Sequence, residues 1–201
     1  FRGVMRPSEP AHEDYDHPDY DPFYAAAVDM GMPLSFHILT SSATDLSAGR
    51  GPKISSYPNV MRANQDIIGM FIFGRVFERH PKLKLVCVEA DAGWAPYYLQ
   101  RMDYSYRTHR HWMKFDAMER LPSDMFKENV YLTFQDDWLA FRFREFLNVR
   151  RLMWANDFRH TDSTWPDSQE MLAEQTAELS DEERDWILHD NVVELYGLDA
   201  A

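Results

Sequence analysis

The sequence predicts an α/β fold with parallel strands, and three observations carry that expectation. About five short apolar runs alternate with helical stretches. The run Leu83-Lys-Leu-Val-Cys-Val88 has the continuous apolar end that burial on both faces of a parallel sheet requires. No internal repeat or low-complexity segment points elsewhere.

Val4-Met5 after Gly3 reads as the end of a strand, and the stretch from Pro7 to Pro22, rich in Pro, Asp, Glu and His, reads as a long loop. Asp21-Pro22 opens a helix from Phe23 to Met30, which Gly31 closes, and Pro33-Leu-Ser-Phe-His37 is the next strand. A loop from Thr40 to Pro58 leads to a helix from about Asn59 to Arg79, with Val60, Ala63, Ile67, Ile68, Phe71, Ile72 and Val76 forming its apolar face. After the Leu83 to Val88 strand, closed by Glu89, Gly93-Trp94-Ala95-Pro96 starts a helix that reaches about His111. Val130-Tyr-Leu-Thr-Phe134 is a strand ended by Gln135-Asp136-Asp137. A helix from Trp138 to Leu147 and a strand from Arg151 to Ala155 follow. Two C-terminal helices are expected, one from near Ser168 and one with a Ser180-x-x-Glu183 capping box, closed by Gly197. The whole chain, 1–201, reads as a single domain.

Composition bounds the function. With 45% hydrophobic and 27% charged residues, the 201-residue chain is that of a soluble globular protein, and no apolar run reaches the length of a membrane helix. A net charge of −12 argues against unaided binding to nucleic acid or an anionic membrane surface, while metal cations are tolerated. Cys87, the lone cysteine, cannot form an intrachain disulfide, which fits a reducing, cytoplasmic setting. A catalytic thiol is the weaker alternative for it.

The candidate chemistry lies where strands end. His37, Glu89 and Asp157 each close a separate strand, and in a barrel all three would point into one C-terminal mouth. A carboxylate at the end of a buried strand is costly unless a metal, a cation or a reacting proton compensates it. Each residue also has a structural reading: Asp157 and Glu89 as turn caps, His37 as a hydrogen-bonded structural imidazole. His160, three residues past Asp157, is a candidate for orienting substrate or the carboxylate, and a turn-stabilising role is equally open to it. Trp94 and Trp165 are candidate walls of an apolar pocket, with loop packing as the commoner alternative. The His109-Arg110-His111-Trp112 cluster reads as a solvated helix end, and His12 and His17 as surface residues of the acidic loop.

Four segments, in this order and spacing, carry a resemblance over nearly the whole chain: Met32-Pro-Leu-Ser-Phe-His37, His80-Pro-Lys-Leu-Lys-Leu-Val-Cys-Val-Glu89, Gly93-Trp-Ala-Pro-Tyr-Tyr-Leu-Gln-Arg-Met-Asp103 and Asn156-Asp157-Phe-Arg-His160 with its Ser-Thr-Trp-Pro continuation. The sequence resembles the amidohydrolase-related family that includes aminocarboxymuconate-semialdehyde decarboxylase. The resemblance implies a (β/α)8 TIM-barrel-like fold, of which this chain would hold about the last five βα units plus C-terminal helices. Strands one to three would then lie upstream of Phe1; the competing reading is a complete, small, doubly wound five-stranded sheet.

The resemblance also implies a metal at the barrel mouth. In the family the ligands are a His-x-His pair on the first strand, a His on the fifth and an Asp on the eighth, with a catalytic His on the sixth. His37 matches the fifth-strand ligand and Asp157 the eighth. At the sixth-strand position this chain has Glu89, which becomes the second candidate for general acid/base work beside Asp157. His109-Arg-His111 has the His-x-His spacing but lies on or at the end of a helix, where residues two apart do not face one site. The expected cofactor is a divalent metal, zinc first, with manganese or iron as alternatives. The expected activity is metal-dependent hydrolysis or decarboxylation of a small, carboxylate-bearing or cyclic substrate, with homodimerisation a further expectation. The alternative is a metal-deficient relative serving as a binding scaffold.

Overall fold

The computed structural model describes residues 1–40 and 51–198. The segment 41–50, part of the loop expected from Thr40 to Pro58, lies outside the described residues. Five parallel strands, β1 (Val4–Arg6), β2 (Leu34–His37), β3 (Leu85–Val88), β4 (Val130–Phe134) and β5 (Leu152–Trp154), form one sheet in the order β1-β2-β3-β4-β5. A strand order that follows the chain without reversal has no switch point, so the doubly wound alternative is excluded. Sequential parallel neighbours are the topology of a (β/α) barrel wall.

The nine helices among the described residues are α1 (Asp21–Asp29), α2 (Arg62–Phe73), α3 (Val76–Arg79), α4 (Ala95–His109), α5 (Pro122–Asn129), α6 (Trp138–Arg142), α7 (Ser168–Gln175), α8 (Asp181–Asp185) and α9 (Asn191–Tyr196). Strand alternation sorts the side chains onto two faces. Leu34, Phe36, Leu85, Cys87, Val130, Leu132, Phe134 and Leu152 join the large core with Ile67, Ile68, Phe71, Leu99 and Phe126 from the helices. Val86, Tyr131 and Met153 face the other way and pack with the partly buried Val88, Val192 and Leu195. Helices α2, α4 and α5 therefore cover one face, as a barrel's outer ring does, while Val192 and Leu195 of α9 meet the other, and β2 delivers His37 to that inner side beside Val88.

Three helical segments differ from the sequence reading. The helix expected from Asn59 to Arg79 is broken between α2 and α3. A Cβ on Gly74 would lie 2.3 Å from Asp16 Cβ, and Arg75 takes φ 63° as its guanidinium reaches Glu78, Asp116 O and Ala117 O. The helix expected from Trp138 to Leu147 ends at Arg142 and continues as a 3-10 turn, Arg144–Phe146. Helix α5, not anticipated, opens on Pro122 and buries Met125, Phe126 and Asn129. The Ser180–Glu183 capping box forms in both directions, and Gly197 closes α9 at φ 56°.

Two asparagines tie helices to the starts of strands. Asn129 Nδ2 donates to Pro81 O and Leu83 O, and Asn191 Nδ2 donates to Val149 O and Leu152 O. Both are buried, so their bonds fix where β3 and β5 begin.

Candidate metal centre

The site is assembled from the residues that follow β2, β3 and β5. His37 Nδ1 lies 2.7 Å from Ile38 O, and a carbonyl only accepts, so Nδ1 carries the hydrogen. Its Nε2 then faces Glu89 Oε2 at 2.7 Å, lone pair towards carboxylate. Two acceptors approach that closely only with a positive charge between them, either a shared proton or a cation. This is also the tautomer in which imidazole Nε2 serves as a metal ligand.

Glu89 sits at φ 61°, with its N–H donating to Thr133 Oγ1 at 2.8 Å from the neighbouring strand. Burial pushes its carboxyl above the ordinary range; His37 opposes this, and the negative charge of Asp157 adds to it. Asp157 follows β5 at φ 52° and accepts from His160 Nδ1 at 2.8 Å. Among the described residues no backbone N–H donates to the Asp157 carboxylate, so its side chain is not the turn cap that was one reading of it. The turn is held by others: Asn156 O accepts from Ser163 Oγ and Thr164 N, and Asn156 Oδ1 accepts from Phe158 N.

Glu89, Asp157 and His160 each present one ligand atom, and these lie within 4.8 Å of one another. His37 joins them through Glu89. Leu39, Glu89, Asp91 and Asp157 all hold positive φ at 52–61° immediately after strands. Left-handed backbone at a non-glycine residue costs about 1 kcal/mol each, and its concentration at one end of the sheet marks a site where geometry is enforced. Two carboxylates and two imidazoles are a donor set suited to a zinc- or manganese-like divalent cation, and the charge required between His37 and Glu89 is one that such a cation would supply.

The loop bearing Glu89 is held from β4. Buried Asp137 accepts from Ala92 N at 2.8 Å, Gly93 N at 2.7 Å and Ala140 N at 3.2 Å. A Cβ at Gly93 would stand 2.6 Å from Asp137 Oδ1, so only glycine admits this approach. The Asp91 carboxyl is pushed up to about 6, first by burial and then by the charge of Asp137.

Of the other residues singled out in the sequence, Trp165 is exposed and meets Phe158 at 5.1 Å between ring centroids, next to the cluster. Trp94 is not brought there. Its N–H donates to Ala90 O and Asp91 O, and its ring packs edge-on against Tyr98 and Phe126 in the outer core. Cys87 is fully buried and its thiol is pushed up to about 12 by burial, which removes the catalytic-thiol alternative. His109 accepts from Trp112 Nε1 at the exposed end of α4, and His17 caps a 3-10 turn, Pro18–Tyr20.

The amidohydrolase family profile matches residues 1–198. The chain belongs to the amidohydrolase family. Similar solved structures include an amidohydrolase from Mycobacterium avium subsp. paratuberculosis, 23% identical with a TM-score of 0.74, covering 90% of this chain and 46% of that one. A 5-carboxyvanillate decarboxylase from Sphingomonas paucimobilis is 21% identical with a TM-score of 0.75, covering 98% and 59%. A 5-carboxyvanillate decarboxylase from Novosphingobium aromaticivorans, solved with manganese and 4-hydroxy-3-methoxy-5-nitrobenzoic acid, is 18% identical with a TM-score of 0.75, covering 98% and 57%. This amidohydrolase chain thus spans about half the length of the structures it matches. No curated protein matches its sequence. Among its described residues no helix is long and apolar enough to cross a membrane.

Sequence reasoning missed Thr133 and Asp137 as supports of the site. Thr133 carried a faint signal, a hydroxyl on the inner-facing register of a strand otherwise apolar. Asp137 carried none that separates it from its neighbour Asp136.

Proposed function

We propose that the chain forms the metal-binding part of a metal-dependent decarboxylase or hydrolase acting on a small carboxylate-bearing substrate. The observation that carries this reading is the convergence of His37 Nε2 and Glu89 Oε2, 2.7 Å apart and able to share a bound cation or a proton, with the Asp157 carboxylate beside them. His37, Glu89, Asp157 and His160 would hold a divalent cation, which when bound acts as a Lewis acid on a substrate oxygen. That two of the structural neighbours are decarboxylases favours a carboxylic acid as substrate, and the manganese in one of them favours a manganese-like ion as much as zinc.

The chain's own residues supply the remainder. The bond from His37 Nδ1 to Ile38 O keeps the Nε2 lone pair directed at the cluster. Glu89, its carboxyl raised by burial, is the group suited to hold or pass a proton at Oε2. His160 orients Asp157 through Nδ1. The test is CO2 release and amide hydrolysis by manganese- or zinc-loaded protein over a panel of hydroxybenzoates and benzamides. Turnover in one class, falling at least about 100-fold in Asp157→Asn with the circular dichroism spectrum unchanged, is the expected result. Turnover indifferent to Asp157→Asn, or absent from both classes, would overturn the proposal.

A further inference from the structure

Beside the cluster lies an open recess of about 510 Å³ lined by Phe158, Arg159 and His160. Arg159 is exposed, and among the described residues it makes no hydrogen bond, ion pair or ring contact with protein. The neighbouring arginines differ. Arg142 pairs with Glu178, Arg144 with Glu183, Arg150 with Glu194, and Arg151 reaches Glu128. In a chain with 33 acidic and 21 basic residues, the Arg159 guanidinium pairs with neither Asp157 nor Asp162, although both are within three residues.

An aromatic pair, one member of which lines the recess, stands next to it. Phe158 and Trp165 are 56% and 60% exposed and meet edge to face at 5.1 Å, 69° between planes. Two exposed aromatic rings beside an unpaired planar cation offer an apolar wall and a two-pronged anion donor at its edge. His160 bounds the same recess and uses Nδ1 on Asp157, so whatever occupies the recess lies against the cluster.

We propose that Arg159, with Phe158 and Trp165, forms an anion subsite that takes the carboxylate of a small planar acid and places its ring against the aromatic pair. The inference rests on the proposed reading only for its link to turnover; the subsite itself requires no metal. It also accounts for how a chain of net charge −12 admits an anion: the guanidinium supplies a local positive field at the recess.

Benzoate and its neutral isostere benzamide are the probes, with binding followed by tryptophan fluorescence and by ligand-observed NMR. The expected result is that benzoate binds about tenfold or more tightly than benzamide. Arg159→Ala should abolish that preference and Arg159→Lys should keep part of it. Trp165→Phe should remove most of the fluorescence response while the NMR response persists. The measurements are repeated after chelator treatment. A benzoate preference that survives chelation and vanishes in Arg159→Ala supports the subsite even if no metal is found, the case in which the functional reading fails alone. A preference lost on chelation but intact in Arg159→Ala assigns the carboxylate to the metal and overturns the subsite while leaving that reading standing. Equal binding of the two probes, or none of benzoate, also overturns it.

Discussion

Replacing Asp137 with alanine should unfasten the platform on which Glu89 stands. The Asp137 carboxylate accepts from the N–H groups of Ala92, Gly93 and Ala140. Ala92 is fully buried, so its N–H would be left without a partner at about 1.5–3 kcal/mol, and the part-buried Gly93 N–H adds about 1 kcal/mol. Loss of the α6 N-cap adds about another 1 kcal/mol. Relief of the charge on Asp91 returns a fraction of this. A net cost of about 4 kcal/mol corresponds in a chain of this size to a fall in Tm of about 10 °C. Asp137→Asn keeps one acceptor oxygen but turns an amide N–H towards a backbone N–H, so about half the loss is expected. Urea unfolding by circular dichroism would measure both. A cost below about 1 kcal/mol for Asp137→Ala would refute the reasoning, since it would mean the three bonds are not made in solution.

Thr133→Val keeps the volume but removes the acceptor for the Glu89 N–H, so it should cost about 1–2 kcal/mol and weaken metal binding by up to about tenfold, read by urea unfolding and metal titration. Gly74→Ala gains helix propensity of about 1 kcal/mol, but its Cβ would meet Asp16 Cβ at 2.3 Å and Met70 O at 2.5 Å. The clash should win by about 1–3 kcal/mol, and a stabilised variant in thermal melts would show that the Asp16 loop does not pack there. The Arg144 hydrogen bonds hold the Glu183 carboxyl below its ordinary value, outweighing burial, so its stabilising effect is present above pH about 4.5 and is lost as pH falls through the lower folded value. Glu183→Gln, which can keep the capping box, should therefore cost about 1 kcal/mol at pH 7 and progressively less as pH falls below about 4.5; a cost independent of pH would rule out the charge as its source.

What was legible in the sequence followed from local pattern. The strands were readable because their apolar runs are short and continuous, and Val130–Phe134 was placed to the residue. The three strand ends carrying His37, Glu89 and Asp157 were readable because polar groups interrupt those runs abruptly, and the spacing of three between Asp157 and His160 is one that a turn can close. What failed depended on distant neighbours. The break at Gly74 is imposed by Asp16, nearly sixty residues earlier, and the apolar periodicity of α2 and α3 conceals it. Trp94 was a candidate pocket wall with packing as the commoner alternative, and the choice turned on Phe126 of the unanticipated α5, towards which its ring turns. Asp137 acts on another loop's backbone, a partnership that leaves no trace in its own surroundings.

The central claim is that the ends of β2, β3 and β5 build one divalent-cation site. Equilibrium dialysis of the chelator-treated chain against manganese and zinc, with bound metal read by mass spectrometry, tests it without reference to substrate. One ion per chain is predicted, with affinity reduced at least about tenfold in each of His37→Ala, Glu89→Gln and Asp157→Asn. No bound ion, or an affinity unmoved by all three substitutions, would contradict it.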